Sequence, residues 1–182
     1  MKIALCGRMR SGKDSVADIL EEHDFFRYKF SQGIWETVGL LFGQNEEETL
    51  YKPRKLLQDL GQKIREVDPN VWVNYTMSEI ELDEDLHYPS ENDVVITDLR
   101  QPNEYARLRK EGYTIVRVVA SNQVRVHRAK EKGDIFTEED TQHDTESHVD
   151  SFEVDYEITN DGTFADLRNK VGQMLESLEV AD

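Results

Sequence analysis

The chain has 182 residues, a length that suits one domain. Its 22 Lys and Arg against 38 Asp and Glu leave a formal charge of −16, which argues against binding of DNA or RNA polymers, because neutralising phosphates needs a basic face. No apolar stretch approaches the roughly 20 residues of a membrane span. The N-terminal apolar run is too short for a signal peptide, and the single cysteine, Cys6, fits a reducing compartment, so a cytoplasmic location is expected.

Along the chain, Lys2–Cys6 is a short apolar run ended by Gly7 and reads as a buried strand. Lys13–Glu22 carries Val16, Ala17, Ile19 and Leu20 at helical spacing. Phe25–Phe30 reads as a second strand and Ile34–Phe42 as a helix. Pro53 stands where a helix can start, and from it Leu56, Leu57, Leu60, Ile64 and Val67 form a stripe that stops around Asp68-Pro69. Val71–Leu82 is a further helical stretch, expected to run into an acidic loop over Glu79–Asp85. Val94–Thr97 is a third strand, Glu104–Glu111 a helix closed by Gly112, Thr114–Val119 a fourth strand and Gln123–Lys132 a charged helix closed by Gly133. Residues 134–152 read as a polar loop. Tyr156–Thr159 is a short strand, Asn160-Asp161-Gly162 a turn, and Phe164–Leu178 a closing amphipathic helix. This alternation predicts an α/β fold, a five-stranded, mostly parallel sheet with helices on both faces and ligands at the carboxyl ends of its strands.

The segment Gly7-Arg8-Met9-Arg10-Ser11-Gly12-Lys13-Asp14-Ser15 has the spacing of a phosphate-binding loop. Its glycines let the backbone curl so that N–H groups point at phosphate oxygens. Lys13 can reach the β- and γ-phosphates, and the helix that follows presents its positive end. The residue after the lysine, usually a Ser or Thr magnesium ligand, is Asp14, and a hydroxyl follows one place later at Ser15. Asp14 can face the magnesium shell while Ser15 bonds a phosphate. The plainer alternative is a strand–helix turn that binds nothing. No NKxD element is present, so a GTPase does not fit.

Taken together, SGKDS, YKPRKLLQDLGQKIREVDPNVWV, VVITDLRQPNEYARLRKEG, HDTES and DYEITNDGT resemble the deoxynucleoside monophosphate kinases of bacteriophages and their bacterial relatives. The pattern is also similar to the animal-type phosphomevalonate kinases, which share the GKD form of the loop. Those tend to carry two adjacent arginines where this chain has Arg100 and Gln101. The resemblance implies a P-loop, nucleoside-monophosphate-kinase-like domain over residues 1–182. It places acceptor-binding helices at about 31–85 and a small lid at about 121–150. It implies an ATP- and Mg2+-dependent kinase acting on a small phosphomonoester, most simply a (deoxy)nucleoside monophosphate. Phosphomevalonate kinase is the alternative acceptor reading, and a nucleotide-binding module without turnover is the alternative from another class.

Phosphoryl transfer needs positioning and charge neutralisation more than covalent help. Gly7, Arg8, Arg10, Ser11, Gly12, Lys13, Asp14 and Ser15 are the expected ATP-binding set. Lys13, Arg100, Arg125 and Arg128 are the expected catalytic cations, the last two spaced three apart on the lid helix. Arg54, Gln58, Arg65, Trp72, Asp98 and Arg100 are expected at the acceptor, and Asp14, Ser15 and Asp98 at magnesium. Asp98 either holds a magnesium-bound water, orients Arg100 or caps the loop toward Pro102. Trp72 either stacks on a base or belongs to the core. His143, Asp144, Glu146 and His148, with Asp140 near, form a weak metal pattern and a better polar loop; the resemblance implies that His143 and Glu146 order either the lid or the loop. Cys6 reads as a small strand hydrophobe, and Glu46–Glu48 and Glu81–Asp85 as solvated faces. The sequence leaves a homodimer open.

Overall fold

A computed structural model describes residues 1–44, 53–87, 93–132 and 148–180; the side chains of Arg54 and of residues 84–87 are excepted. The elements are β1 (Lys2–Cys6), α1 (Lys13–Glu21), β2 (Phe25–Tyr28), α2 (Gln32–Phe42), α3 (Arg54–Val67), α4 (Val71–His87), β3 (Asp93–Ile96), α5 (Pro102–Lys110), β4 (Thr114–Val119), α6 (Asn122–Glu131), β5 (Tyr156–Thr159) and α7 (Phe164–Glu179). The chain divides into two compact units, one of residues 1–27 and 92–182 and one of residues 28–91.

The first unit is built on a five-stranded sheet of order β2-β3-β1-β4-β5. β1 pairs in parallel with β3 (Ala4 beside Ile96) and with β4 (Cys6 beside Arg117), and β4 pairs in parallel with β5 (Val119 beside Thr159). The central strand β1 has four consecutive buried residues, whereas the edge strand β5 alternates, as expected for strands covered on two faces and on one. Ile3, Leu5, Val116, Val118 and Ile158 pack with Val16, Ile19 and Leu20 of α1 and Leu167, Val171 and Met174 of α7. Burying each Leu or Ile side chain contributes about 1.5–3 kcal/mol. Residues of the other parity, Ala4, Ile96 and Ile115, are equally inaccessible, so the opposite face is covered too. α5 starts two residues ahead of the expected Glu104, because Pro102 at its first position is already set for a helical φ. Thr163 and Asp166 exchange hydrogen bonds at the start of α7, and these bonds hold the Asp166 carboxyl below its ordinary value.

The second unit consists of α2, α3 and α4 around Ile34, Trp35, Val38, Leu57 and Trp72. The helices touch most closely at two glycines. A Cβ on Gly33 would lie 2.8 Å from the Tyr75 ring, and one on Gly61 2.8 Å from Ile34 Cδ1. α4 differs from expectation: the acidic run Glu79–Asp85 is helical rather than a loop. No Gly or Pro interrupts it, and its Glu and Leu residues are good helix formers, which outweighs acidic charge near a helix C-terminus. Tyr28 anchors the far end by donating to Asp83 at 2.7 Å. No helix among the described residues is long and apolar enough to cross a membrane.

Candidate functional site

The loop between β1 and α1 has an unusual backbone. Gly7, Arg10 and Gly12 have φ of 142°, 62° and 103°, so three of its residues sit where L side chains are strained and the chain can curl. Ser11 N–H donates to Arg8 O at 3.1 Å, and Val16 N–H to Gly12 O at 3.0 Å as α1 begins. Lys13 folds back over the loop, its Nζ donating to Gly7 O at 2.6 Å and Arg8 O at 3.3 Å. Asp14 is exposed in the first turn of α1 and Ser15 is half-buried. The loop is crowded from behind. A Cβ on Gly7 would lie 2.3 Å from Val118 O, and one on Gly12 2.0 Å from Asn160 Nδ2.

Side chains from α6 and from the end of β5 hold the loop's carbonyls. Arg125, 4% exposed, donates to Met9 O at 3.4 Å and to Asn122 Oδ1 at 3.0 Å. Arg128 donates to Arg10 O and Ser11 O at 3.4 and 3.3 Å, and to Asn160 O at 3.0 Å. Asn160 Nδ2 donates to Ser11 O at 2.8 Å. Thus the two lid-helix arginines expected at the transferring group lie against the loop's backbone. Register explains the meeting: β4 lies between β1 and β5, so the ends of all three strands converge.

On the flank toward β4, Arg8 Nε donates to Asp150 Oδ2 at 3.1 Å. Arg117, beside Cys6 in the sheet, donates to Val149 O at 3.2 Å and to Phe152 O, which pins the segment entering β5. A cavity of about 260 Å³ opens here, lined by Gly7, Arg8, Ser11, Arg117, Arg125 and Asp150 among others. Burial pushes the Cys6 thiol up, against the lowering influence of Arg117 and Lys13, so at neutral pH it is a protonated strand hydrophobe as expected.

At the neighbouring strand end, Asp98 is half-buried two residues beyond Ile96, level in register with Cys6. Arg100 is exposed. Its N–H and that of Gln101 both donate to Glu104 at 2.8 Å, and Glu104 is 4% exposed. Glu104 therefore fixes the turn that carries Asp98 and Arg100.

In the second unit, Gln58 is exposed on α3 and Arg65 is half-buried near its end; the Arg54 side chain lies outside the described residues. Trp72 is 4% exposed within the helical core, and its Nε1 donates to Gly61 O at 3.1 Å. Buried in the cluster and with its one donor used, the ring is a core element rather than a surface for stacking on a base. Asp140, His143, Asp144 and Glu146, as well as Glu46–Glu48, lie outside the described residues, and His148 accepts from the Ser151 hydroxyl through its carbonyl. Among the described residues no group of three or more His, Cys, Asp or Glu is arranged to hold a metal. Sequence reasoning missed Asn160, Arg117, Asp150 and Glu104. The sequence places Asn160 only in a turn, and the available signal is its position directly after a strand that ends beside the loop.

A family model for deoxynucleotide monophosphate kinase matches residues 40–171. The fold is shared with solved structures of low identity. Shikimate kinase from Aquifex aeolicus is 17% identical with a TM-score of 0.51, over 100% of both chains. Dephospho-CoA kinase from Campylobacter jejuni is 12% identical with a TM-score of 0.57, over 97% of this chain and 96% of that one. Shikimate kinase from Acinetobacter baumannii, solved with shikimate, is 20% identical with a TM-score of 0.55, over 96% and 92%. No match is found among curated proteins. The family match covers well over half of the sequence, and the chain belongs to the deoxynucleotide monophosphate kinase family.

Proposed function

We propose that this member of the family transfers the γ-phosphoryl group of ATP to the phosphate of a (deoxy)nucleoside monophosphate, releasing ADP and a nucleoside diphosphate. One observation carries the reading. The family match begins at residue 40, so the curled Gly7–Lys13 loop supports nucleotide binding independently of it.

The amides of the loop and Lys13 bind the ATP phosphates, with Lys13 Nζ leaving the carbonyls of Gly7 and Arg8 for them. Asp14, Ser15 and Asp98 would hold magnesium. All are oxygen donors at the carboxyl end of the sheet, and magnesium commonly takes one or two carboxylates together with substrate phosphates. When bound, the ion would neutralise charge on the β- and γ-oxygens. The acceptor phosphate is already anionic near neutral pH, since its second pKa is about 6, so no general base is required. Its oxygen forms the new P–O bond as the bond to the ADP oxygen breaks. Arg54, Gln58 and Arg65 of α3 are assigned to the acceptor, and Arg100 to phosphate charge at its own strand end. The exposure of Arg100, on a turn fixed through Glu104, suits a cation that meets a ligand. Water exclusion then decides whether phosphate goes to the acceptor or is lost to hydrolysis.

ADP release by the purified protein with ATP and magnesium tests the reading against dNMPs, NMPs, phosphomevalonate and dephospho-CoA. Turnover with one nucleotide class is expected. Turnover with phosphomevalonate alone would move the acceptor, and ATP binding without any turnover would overturn the kinase reading.

A further inference from the structure

We propose that Asn160 and Arg128 are positioning residues of the phosphate loop: by binding carbonyls on its outer side they turn the amides of the same peptide planes toward the nucleotide's phosphates. The inference rests on the loop being the nucleotide site.

The argument starts from the peptide bond. A trans peptide is planar, and its C=O and N–H point to opposite sides. Fixing a carbonyl therefore fixes the direction of the next residue's amide. Three successive loop carbonyls are held from outside the loop, Met9 by Arg125, Arg10 by Arg128, and Ser11 by both Arg128 and Asn160. The amides set by these bonds belong to Arg10, Ser11 and Gly12. Ser11 N–H is used within the loop, on Arg8 O. Those of Arg10 and Gly12 flank it, on the two residues with φ of 62° and 103°, a conformation that is strained for Arg10 and that only a glycine such as Gly12 leaves freely, so bonds from outside are needed to hold both planes.

Asn160 is well placed to be the fixed point. It is 5% exposed, and its own N–H donates to Val119 O at 2.7 Å, which continues the β4–β5 ladder. The next residue, Asp161, accepts from Ser121 N–H at 2.7 Å and ties the start of α6 to the end of β5. Arg128 then bonds Asn160 twice, through O at 3.0 Å and Oδ1 at 3.3 Å. That second bond orients the side-chain amide so that Nδ2 faces Ser11 O. The fit also gives Gly12 a second reason to be glycine: a Cβ there would sit 2.0 Å from Asn160 Nδ2. A guanidinium on a carbonyl further polarises its peptide unit and strengthens the N–H on the far side as a donor.

Titration calorimetry with ATP and with inorganic tripolyphosphate tests this on the full chain, with circular dichroism to check the fold. Asn160→Asp keeps the shape but sets a carboxylate against Ser11 O. It is expected to weaken both ligands by about tenfold or more, in the same ratio. Arg128→Met should do the same, and it carries the test if Asn160→Asp does not fold. Folded variants that bind both ligands as tightly as wild type would overturn the proposal. So would a loss confined to ATP, which would put the residues at the nucleoside instead. Wild-type protein that binds neither ligand would overturn the nucleotide reading itself, a separate result.

Discussion

In the sheet-based unit, Arg117, Arg125 and Arg128 donate to backbone carbonyls around the phosphate loop, Arg117 and Arg128 with several bonds and Arg125 with one, to Met9 O. In the helical unit, Gln58 and Arg65 lie along α3 at exposed and half-buried positions, and the interior is largely apolar, with Trp72 Nε1 donating to Gly61 O. These three arginines of the first unit shape backbone, so on the proposed reading its ligand is met by amides, Lys13 and the exposed Arg100. The second keeps polar side chains on a helix surface. Rigid amides suit a ligand part common to all nucleotides, the polyphosphate, whereas side chains on a helix surface suit a part that varies, the acceptor.

The largest effect that would sharpen this contrast is at Lys13. Lys13→Ala should lower kcat/KM for ADP release by roughly 10²–10³-fold, the range for removing one preorganised donor to developing charge. Its melting temperature should stay close to wild type, since the Nζ donates to the loop carbonyls Gly7 O and Arg8 O rather than packing in the apolar core. Wild-type turnover would break the account of the loop.

Core truncations come next and separate the units by stability. Leu20→Ala in α1 and Trp72→Ala in α4 should each cost about 2–5 kcal/mol in denaturant unfolding, because both side chains are buried. Trp72→Phe sharpens the point for the acceptor. It should lower stability and leave the acceptor KM unchanged. A raised KM with unchanged stability would return Trp72 to the binding site.

A smaller effect concerns the cap of α7. Thr163→Ala should cost about 1 kcal/mol. The Asp166 carboxyl is held below its ordinary value of 3.8 by the Thr163 hydroxyl and then its N–H. A depressed folded value means the contribution is complete above the unfolded pKa and is lost as pH falls through the folded one. The difference between wild type and Thr163→Ala should therefore be constant at neutral pH and shrink under acid, as unfolding midpoints at pH 7 and pH 3 would show. The smallest effect is at Cys6, whose buried, protonated thiol should react with a disulfide reagent only when the protein is unfolded.

The legible parts were the local ones. β1, β4 and β5 span the residues expected from apolar runs, because a buried parallel strand has few alternatives. The phosphate loop was legible for the same reason: its ligand-facing groups are backbone amides set by glycine spacing. Three features were not. The helical course of Glu79–Asp85 turned on propensity overriding charge, which composition alone ranks poorly. Trp72 followed a stripe that core and binding faces share. Asn160 meets Ser11 across 149 residues, and such a pair depends on strand order, which periodicity does not encode. The same holds for Arg125 and Arg128: their helix was expected, but the direction of their guanidinium groups comes from the packing of α6 behind the loop.

The most direct test of the central claim is the fate of the γ-phosphate. The protein would be incubated with magnesium and γ-32P-labelled ATP, with dAMP, dCMP, dGMP and dTMP each in turn, and the products separated by chromatography. Label moving from ATP into a nucleoside diphosphate, and failing to move with Lys13→Ala, is the predicted result. Label that stays in ATP, or passes only to inorganic phosphate with every acceptor, would contradict it.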